Sequence, residues 1–152
     1  MKKHYPGIAV INPASGEPYN PADWAKVDNP EQAEWLLIIP EYGPRFLLSK
    51  RELGDDLTFL QAIERASEEG GTTGTRRQWL DIYDAIEGPE RLNKVLRLIG
   101  GDEIEWKWYW TSETFQSGSG SAWVFSGTSG NLSTGNARFI AYAARLFRAS
   151  EI

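Results

Sequence analysis

With 152 residues, 41% apolar and 24% charged, the chain has room for one domain with a real core, and its net charge of −5 disfavours a general nucleic-acid binder. It contains no cysteine and a single histidine, His4, beside the start, which removes disulfides, thiolate metal sites and cysteine nucleophiles and argues against histidine-based triads or zinc sites. The apolar run at the start is short and Pro13 breaks it, so no signal peptide is visible, and "WLLII" is far too short to span a bilayer; the chain reads as soluble, with no membrane insertion.

In chain order, "GIAVI" (7–11) and "WLLII" (35–39) are short apolar runs bounded by Pro and Gly, which suits buried strands. Between them "NPASGEPYNPADW" is loop by its three prolines, with Trp24 pinning it to the core. "RFLLS" (45–49) follows "PEYGP" and pairs with the preceding strand as a hairpin. Three helices come next. Thr58 and Gln61 form a capping box, then Phe59, Ala62, Ile63 and Ala66 recur at helical spacing until Gly70-Gly71. Thr75 and Gln78 form a second box, with Trp79, Ile82, Tyr83 and Ile86 on one face until Gly88. After Pro89, Leu92, Val95, Leu96 and Ile99 face inward until Gly100-Gly101.

From Trp106 the period falls to two. "WKWYW", "SAWVFSG" and "ARFIAYAARLF" read as strands, separated by turns at 117–121, 127–130 and 133–136. Trp110 is expected in the core, while Trp106 and Trp108 fit either core or surface. The expected class is α+β, one domain over 1–152: a few strands, a helical middle packed on a sheet, then a β meander.

The last strands differ in composition. Residues 106–152 hold four basic and two acidic residues, a balance of +2, against −7 for the remainder. Ser, Gly, Thr, Asn and aromatics dominate 111–142. Small polar residues offer adaptable hydrogen bonds, and Tyr and Phe supply contact area at low entropic cost, as in antibody paratopes.

The succession "TRRQWLDIYDAI", "LNKVLRLIGG", "YWTSE", "AW" and a closing "ARLFRA" resembles the C-type-lectin-fold variable proteins of diversity-generating retroelements and their bacterial and phage relatives. The resemblance spans about residues 70–149; Gly74 and Gln78 stand where the family has Pro and Glu, and Arg138 takes the place of its usual Lys. It implies a C-type lectin fold of short antiparallel strands with two to three amphipathic helices. It also implies a non-catalytic, calcium-independent receptor-binding role in a phage tail or on a bacterial surface, for a protein or cell-surface ligand, including glycans. In the family, chosen late positions are diversified by adenine-directed copying, which yields small, polar and some aromatic residues but never Lys, Glu, Gln, Met or Trp. On this basis the ligand face lies within 111–142. Its expected members are the outward side chains among Phe115, Ser117, Ser119, Val124, Ser126, Thr128, Ser133, Thr134, Asn136, Phe139, Ile140 and Tyr142, with Trp110 and Trp123 as anchors.

Other readings are weaker. An assembly domain of a phage tail or surface structure would bury 111–142 in an oligomer interface. Calcium-dependent sugar binding needs converging oxygen ligands, and after Glu105 only Glu113 and Glu151 are acidic. Asp81, Asp84 and Glu87 fit a solvated helix face better than a metal site. Ser112 has no histidine to activate it, so catalysis is not expected, nor is any cofactor.

Overall fold

Strands β1 (Gly7–Ile11), β2 (Pro18–Tyr19), β3 (Trp35–Ile39), β4 (Phe46–Leu57), β5 (Trp108–Thr114), β6 (Ser121–Ser126), β7 (Leu132–Asn136) and β8 (Tyr142–Ala149) form one eight-stranded sheet, ordered β2-β1-β3-β4-β8-β5-β6-β7. These come from a computed structural model that describes residues 7–85, 89–115, 120–127, 129–136 and 140–151, with the backbone alone at 84, 85 and 89. Helices α1 (Pro21–Trp24), α2 (Phe59–Glu68), α3 (Arg76–Ala85) and α4 (Pro89–Leu98) complete an α+β architecture. Among the described residues no helix is long and apolar enough to cross a membrane.

The helix punctuation read from the sequence is what forms. Thr58 and Gln61 make the reciprocal capping box on α2. At α3, the Gln78 N–H donates to Thr75 Oγ1 at 3.1 Å, and the Thr75 N–H to Gln78 Oε1 at 2.9 Å. The Gly71 N–H bonds back to the Ala66 carbonyl and the Gly101 N–H to that of Leu96, closing α2 and α4 where the glycine pairs stand. Ile86 and Gly88, expected to finish α3, lie outside the described residues, as do the side chain of Asp84 and all of Glu87. Asp81, expected to be solvated, is instead buried and paired with Arg77 at 3.0 Å.

Neighbouring residues of a strand point to opposite faces, and that splits the core in two. Tyr109, Phe125, Ala143 and Phe147 join Trp79 of α3 and Leu92 and Leu96 of α4 on one face. Trp110, Val124 and Ala144, each one position removed, join Ala62 of α2 on the other. The central strands are therefore covered twice. Trp79 fills the first core, its ring centroid within 5.0–5.2 Å of those of Tyr109, Phe125 and Phe147, and its indole N–H donates to the Thr73 carbonyl. Such contacts add to the area these rings bury.

Two expectations need correction. Residues 133–136 form a strand, β7, instead of a turn, because backbone pairing from Ser121↔Asn136 to Phe125↔Leu132 overrides the low strand propensity of Ser, Gly and Asn. The end of the chain is also more than a meander. β5, β6 and β7 run as one, but β8 then returns to the middle of the sheet, antiparallel to β4 and parallel to β5 at Tyr109↔Ala143.

Candidate functional site

β5 and β6 are held from below by Trp110. It is fully buried, its indole N–H donates to the Leu57 carbonyl at 2.7 Å, and Phe59 and Tyr142 stand edge-on to its ring at 5.5 and 5.0 Å. Past Trp110 the ladder slips: Trp110 pairs with Val124, but Thr114 pairs with Ala122. This bulge re-aims β5 toward the start of α3. The Ser112 N–H donates to the Gly74 carbonyl at 2.6 Å, and Glu113 Oε1 accepts from the Arg76 backbone N–H at 2.6 Å and from Arg76 Nε at 3.2 Å. Glu113 thus supplies a carboxylate at the N-terminus of α3, where the helix dipole favours negative charge.

Arg76, held this way, lies over the face of Trp123 at 4.5 Å, while Phe115 meets the same ring edge-on at 5.3 Å. Thr134 is directly opposite Trp123 in the β6–β7 register, and Ser121 is opposite Asn136. Trp123 is half-buried; Phe115, Thr134 and Asn136 are exposed. The Thr111 hydroxyl ties the two strands beneath, donating to the Trp123 carbonyl at 2.9 Å. A shallow groove lined by Thr75, Arg77, Leu80 and Leu132 continues the patch along α3. Chemically the patch offers one aromatic pair, hydroxyls and an amide, and a cation already neutralised by Glu113. That suits docking of a surface by shape and hydrogen bonds.

The twelve residues singled out in the sequence do not share one surface. Phe115, Thr134 and Asn136 surround Trp123. Ser133 is exposed but opposite Val124, on the reverse face. Ile140 is 39% exposed beyond β7. Val124 and Ser126 are not outward: they are 1% and 5% exposed, Val124 because it packs with Ala62 of α2 and Trp110 on the face that simple alternation would have left to solvent, and Ser126 where it stands opposite Trp108 in the β5–β6 ladder. Tyr142 is half-buried against Trp110 and lies so near β7 that a Cβ on Gly135 would meet its ring at 2.7 Å, so it packs the scaffold. Ser117, Ser119, Thr128 and Phe139 lie outside the described residues. Arg76 and Glu113 were missed. The Thr75 cap places Arg76 in the first helical turn, but nothing local in the sequence announces Trp123 as its neighbour.

Among the described residues the groups whose protonation is displaced lie elsewhere: Arg97, raised by its hydrogen bonds to Glu90 and Glu103, and three groups around Glu52. Burial pushes the Tyr109 phenol well above its ordinary value, and Tyr109 donates to Glu52 at 2.9 Å. Burial pulls Lys107 down, but its hydrogen bond to Glu52 and the charge of that carboxylate outweigh this and leave it raised. Burial lowers Arg145 against the opposing pull of Tyr109 and Glu52. This network binds the loop after α4 to β4 and β8. Among the described residues no group of three or more His, Cys, Asp or Glu side chains could hold a metal ion. No family model matches the chain, and no curated protein does so either.

Proposed function

We propose that the chain is a non-catalytic ligand- or receptor-binding protein with a C-type lectin fold, whose face around Trp123 is the variable surface of a diversity-generating retroelement. The observation that carries this reading is a rigid floor beneath a replaceable cover. Trp79 and Trp110 fill the two cores on either side of β5, whereas Phe115, Thr134 and Asn136 stand outside both. Substitution at an exposed position such as Thr134 typically costs within about 0.5 kcal/mol, and losing the edge-on contact of Phe115 with Trp123 adds about 0.5–1.5 kcal/mol. Trp123, Glu113 and Arg76 would be the constant part of the face, since Trp and Glu are beyond adenine-directed copying and Arg76 precedes the late strands. The quoted motif residues also hold structural posts in keeping with the resemblance: Trp79 in the core, Gly100-Gly101 ending α4, Trp110 under β5, and Arg145 within the sheet.

The test is a displayed library randomised at Phe115, Thr134 and Asn136, panned against a defined protein such as lysozyme. Most clones are expected to melt close to the parent, and specific binders to emerge. A library in which most clones unfold would place these residues in the scaffold and end the proposal. Near-identical copies of the gene that differ mainly at these codons, beside a reverse transcriptase and a template repeat, would support the retroelement part independently.

A further inference from the structure

Away from the Trp123 face, α1 and α4 enclose an apolar groove whose floor is Pro21, Ala22, Ala25, Val95 and Leu98. Its rim is basic in an acidic chain: Arg91, Lys94 and Arg97. Arg97 is already held by Glu103 at 2.7 Å and Glu90 at 3.2 Å. Arg91 and Lys94 are exposed and belong to no ion pair among the described residues.

The complementary surface is on α2. Leu60 is 63% exposed there, an apolar side chain in open solvent. Glu64 and Glu68 follow it at i+4 and i+8, both exposed, so the three form one stripe. Asp55 and Asp56 before the helix and Glu69 after it add negative charge. Arg65, the one cation of α2, donates to the Leu53 carbonyl at 3.1 Å.

We propose that α2 of one copy docks antiparallel into the α1–α4 groove of the next, joining copies head to tail. On α4 the residues Arg91, Lys94 and Leu98 also form one stripe, at i, i+3 and i+7. An antiparallel alignment brings Leu60 to Leu98, Glu64 to Lys94 and Glu68 to Arg91, one apolar contact and two opposite-charge contacts in a single register. Parallel alignment would oppose Leu60 to Arg91 instead. The two surfaces cannot close on each other as a symmetric pair: α2 covers one face of the sheet and α4 the other, so each added copy leaves one groove and one α2 free. The groove lies beside β1, toward the opposite end of the sheet order from β6 and β7, so the row leaves Trp123 accessible. The inference thus stands without the functional reading. Combined with it, assembly would present many weak sites together. One helix in one groove buries less than a standard interface, so the association is weak and dependent on concentration and salt.

Analytical ultracentrifugation of the full chain across a concentration series, at low and high salt, tests it. The expected result is a mean mass that climbs past the dimer as concentration rises and falls with added salt. The double variant Glu64→Lys/Glu68→Lys loses its α2 stripe, and Arg91→Glu/Lys94→Glu loses its groove; each alone is expected to associate at least about tenfold more weakly. Mixed together they are expected to recover growth past the dimer, because one contact keeps the parent charges and the next has both signs exchanged, whereas neither variant has a complementary contact on its own. All four substitutions are at exposed positions, and unchanged circular dichroism would certify the folds. A parent that stays monomeric throughout, association that survives both variants, or variants that fail to pair when mixed would each overturn the proposal. So would dodecanoate binding lost in Arg91→Glu/Lys94→Glu with a parent that never self-associates, which would assign the groove to a small amphiphile.

Discussion

Replacing Arg145 by methionine removes a cation that is wholly buried in β8. Its Nη1 donates to the Ser49 and Lys50 carbonyls at 3.1 Å each, and its Nη2 to the Asp102 and Glu103 carbonyls, with Glu52 Oε1 at 3.7 Å. Exchanging a buried ion pair for apolar residues can be neutral, but that requires both partners to be removed. Here most partners are backbone carbonyls, which no substitution deletes. The Lys50 carbonyl keeps a second donor in the Asp102 N–H, so the loss falls chiefly on the loop at 102–103 and on Glu52. Breaking one side of such an arrangement costs about 3–5 kcal/mol. For a chain of this length that lowers the melting temperature by about 6–20 °C. Arg145→Lys keeps the charge but loses the planar fork, and is expected to recover no more than about half of the deficit. Urea titration gives the magnitude, and hydrogen exchange should show 102–107 exchanging faster in both variants. A loss under about 1 kcal/mol in Arg145→Met would refute the argument that this guanidinium holds the 102–103 loop and Glu52 against β4.

Three further outcomes follow from the same geometry. Gly74 sits at φ +86° with the Phe147 ring 2.8 Å from a would-be Cβ, so Gly74→Ala should lose about 2–4 kcal/mol through backbone strain and overpacking, read from the urea midpoint; a neutral result would contradict the close approach. Trp110→Phe leaves the buried Leu57 carbonyl without its donor and should cost about 1–3 kcal/mol, while near-ultraviolet circular dichroism reports the loosened β5–β6 floor. Both Tyr109 and Lys107 are held above their ordinary values of 10.0 and 10.5, so the protonated forms are favoured in the folded state. Their contribution is therefore complete below the unfolded-state values and lost as pH rises beyond about 10. Urea midpoints measured upward from pH ~9 should decline, and less steeply in Tyr109→Phe; an equal slope in the two proteins would rule out Tyr109 as a cause.

Local signals in the chain were sufficient for the helices and their limits. Thr58/Gln61, Thr75/Gln78 and the glycine pairs act on backbone groups within one turn, so their meaning does not depend on what the helix later meets. The apolar runs of β1 and β3 were legible for a related reason: a short β-branched or Leu-rich stretch between Pro and Gly has few other stable fates. Trp110 is in the core as expected, but size alone did not decide it, since Trp106 is 85% exposed. The face around Trp123 was only half legible, since composition marked the late strands as its seat without saying which side of each strand was open.

What the tertiary structure alone decided was sidedness and company. Alternation assigns neighbouring residues to opposite faces, but it cannot say that both faces of β6 are covered, which is why Val124 is core and Ser126 buried while Thr134, on the edge strand, is exposed. Nor could it bring Arg76 and Glu113 to Trp123, or seat the last strand between β4 and β5, because those contacts join residues dozens of positions apart. The sequence by itself determined the elements, the α+β class and the chemical character of each stretch, since these depend on neighbours along the chain. The layers, the open face and the buried cation followed only from the packed sheet, because burial is a property of what lies above a residue and not of the residue itself.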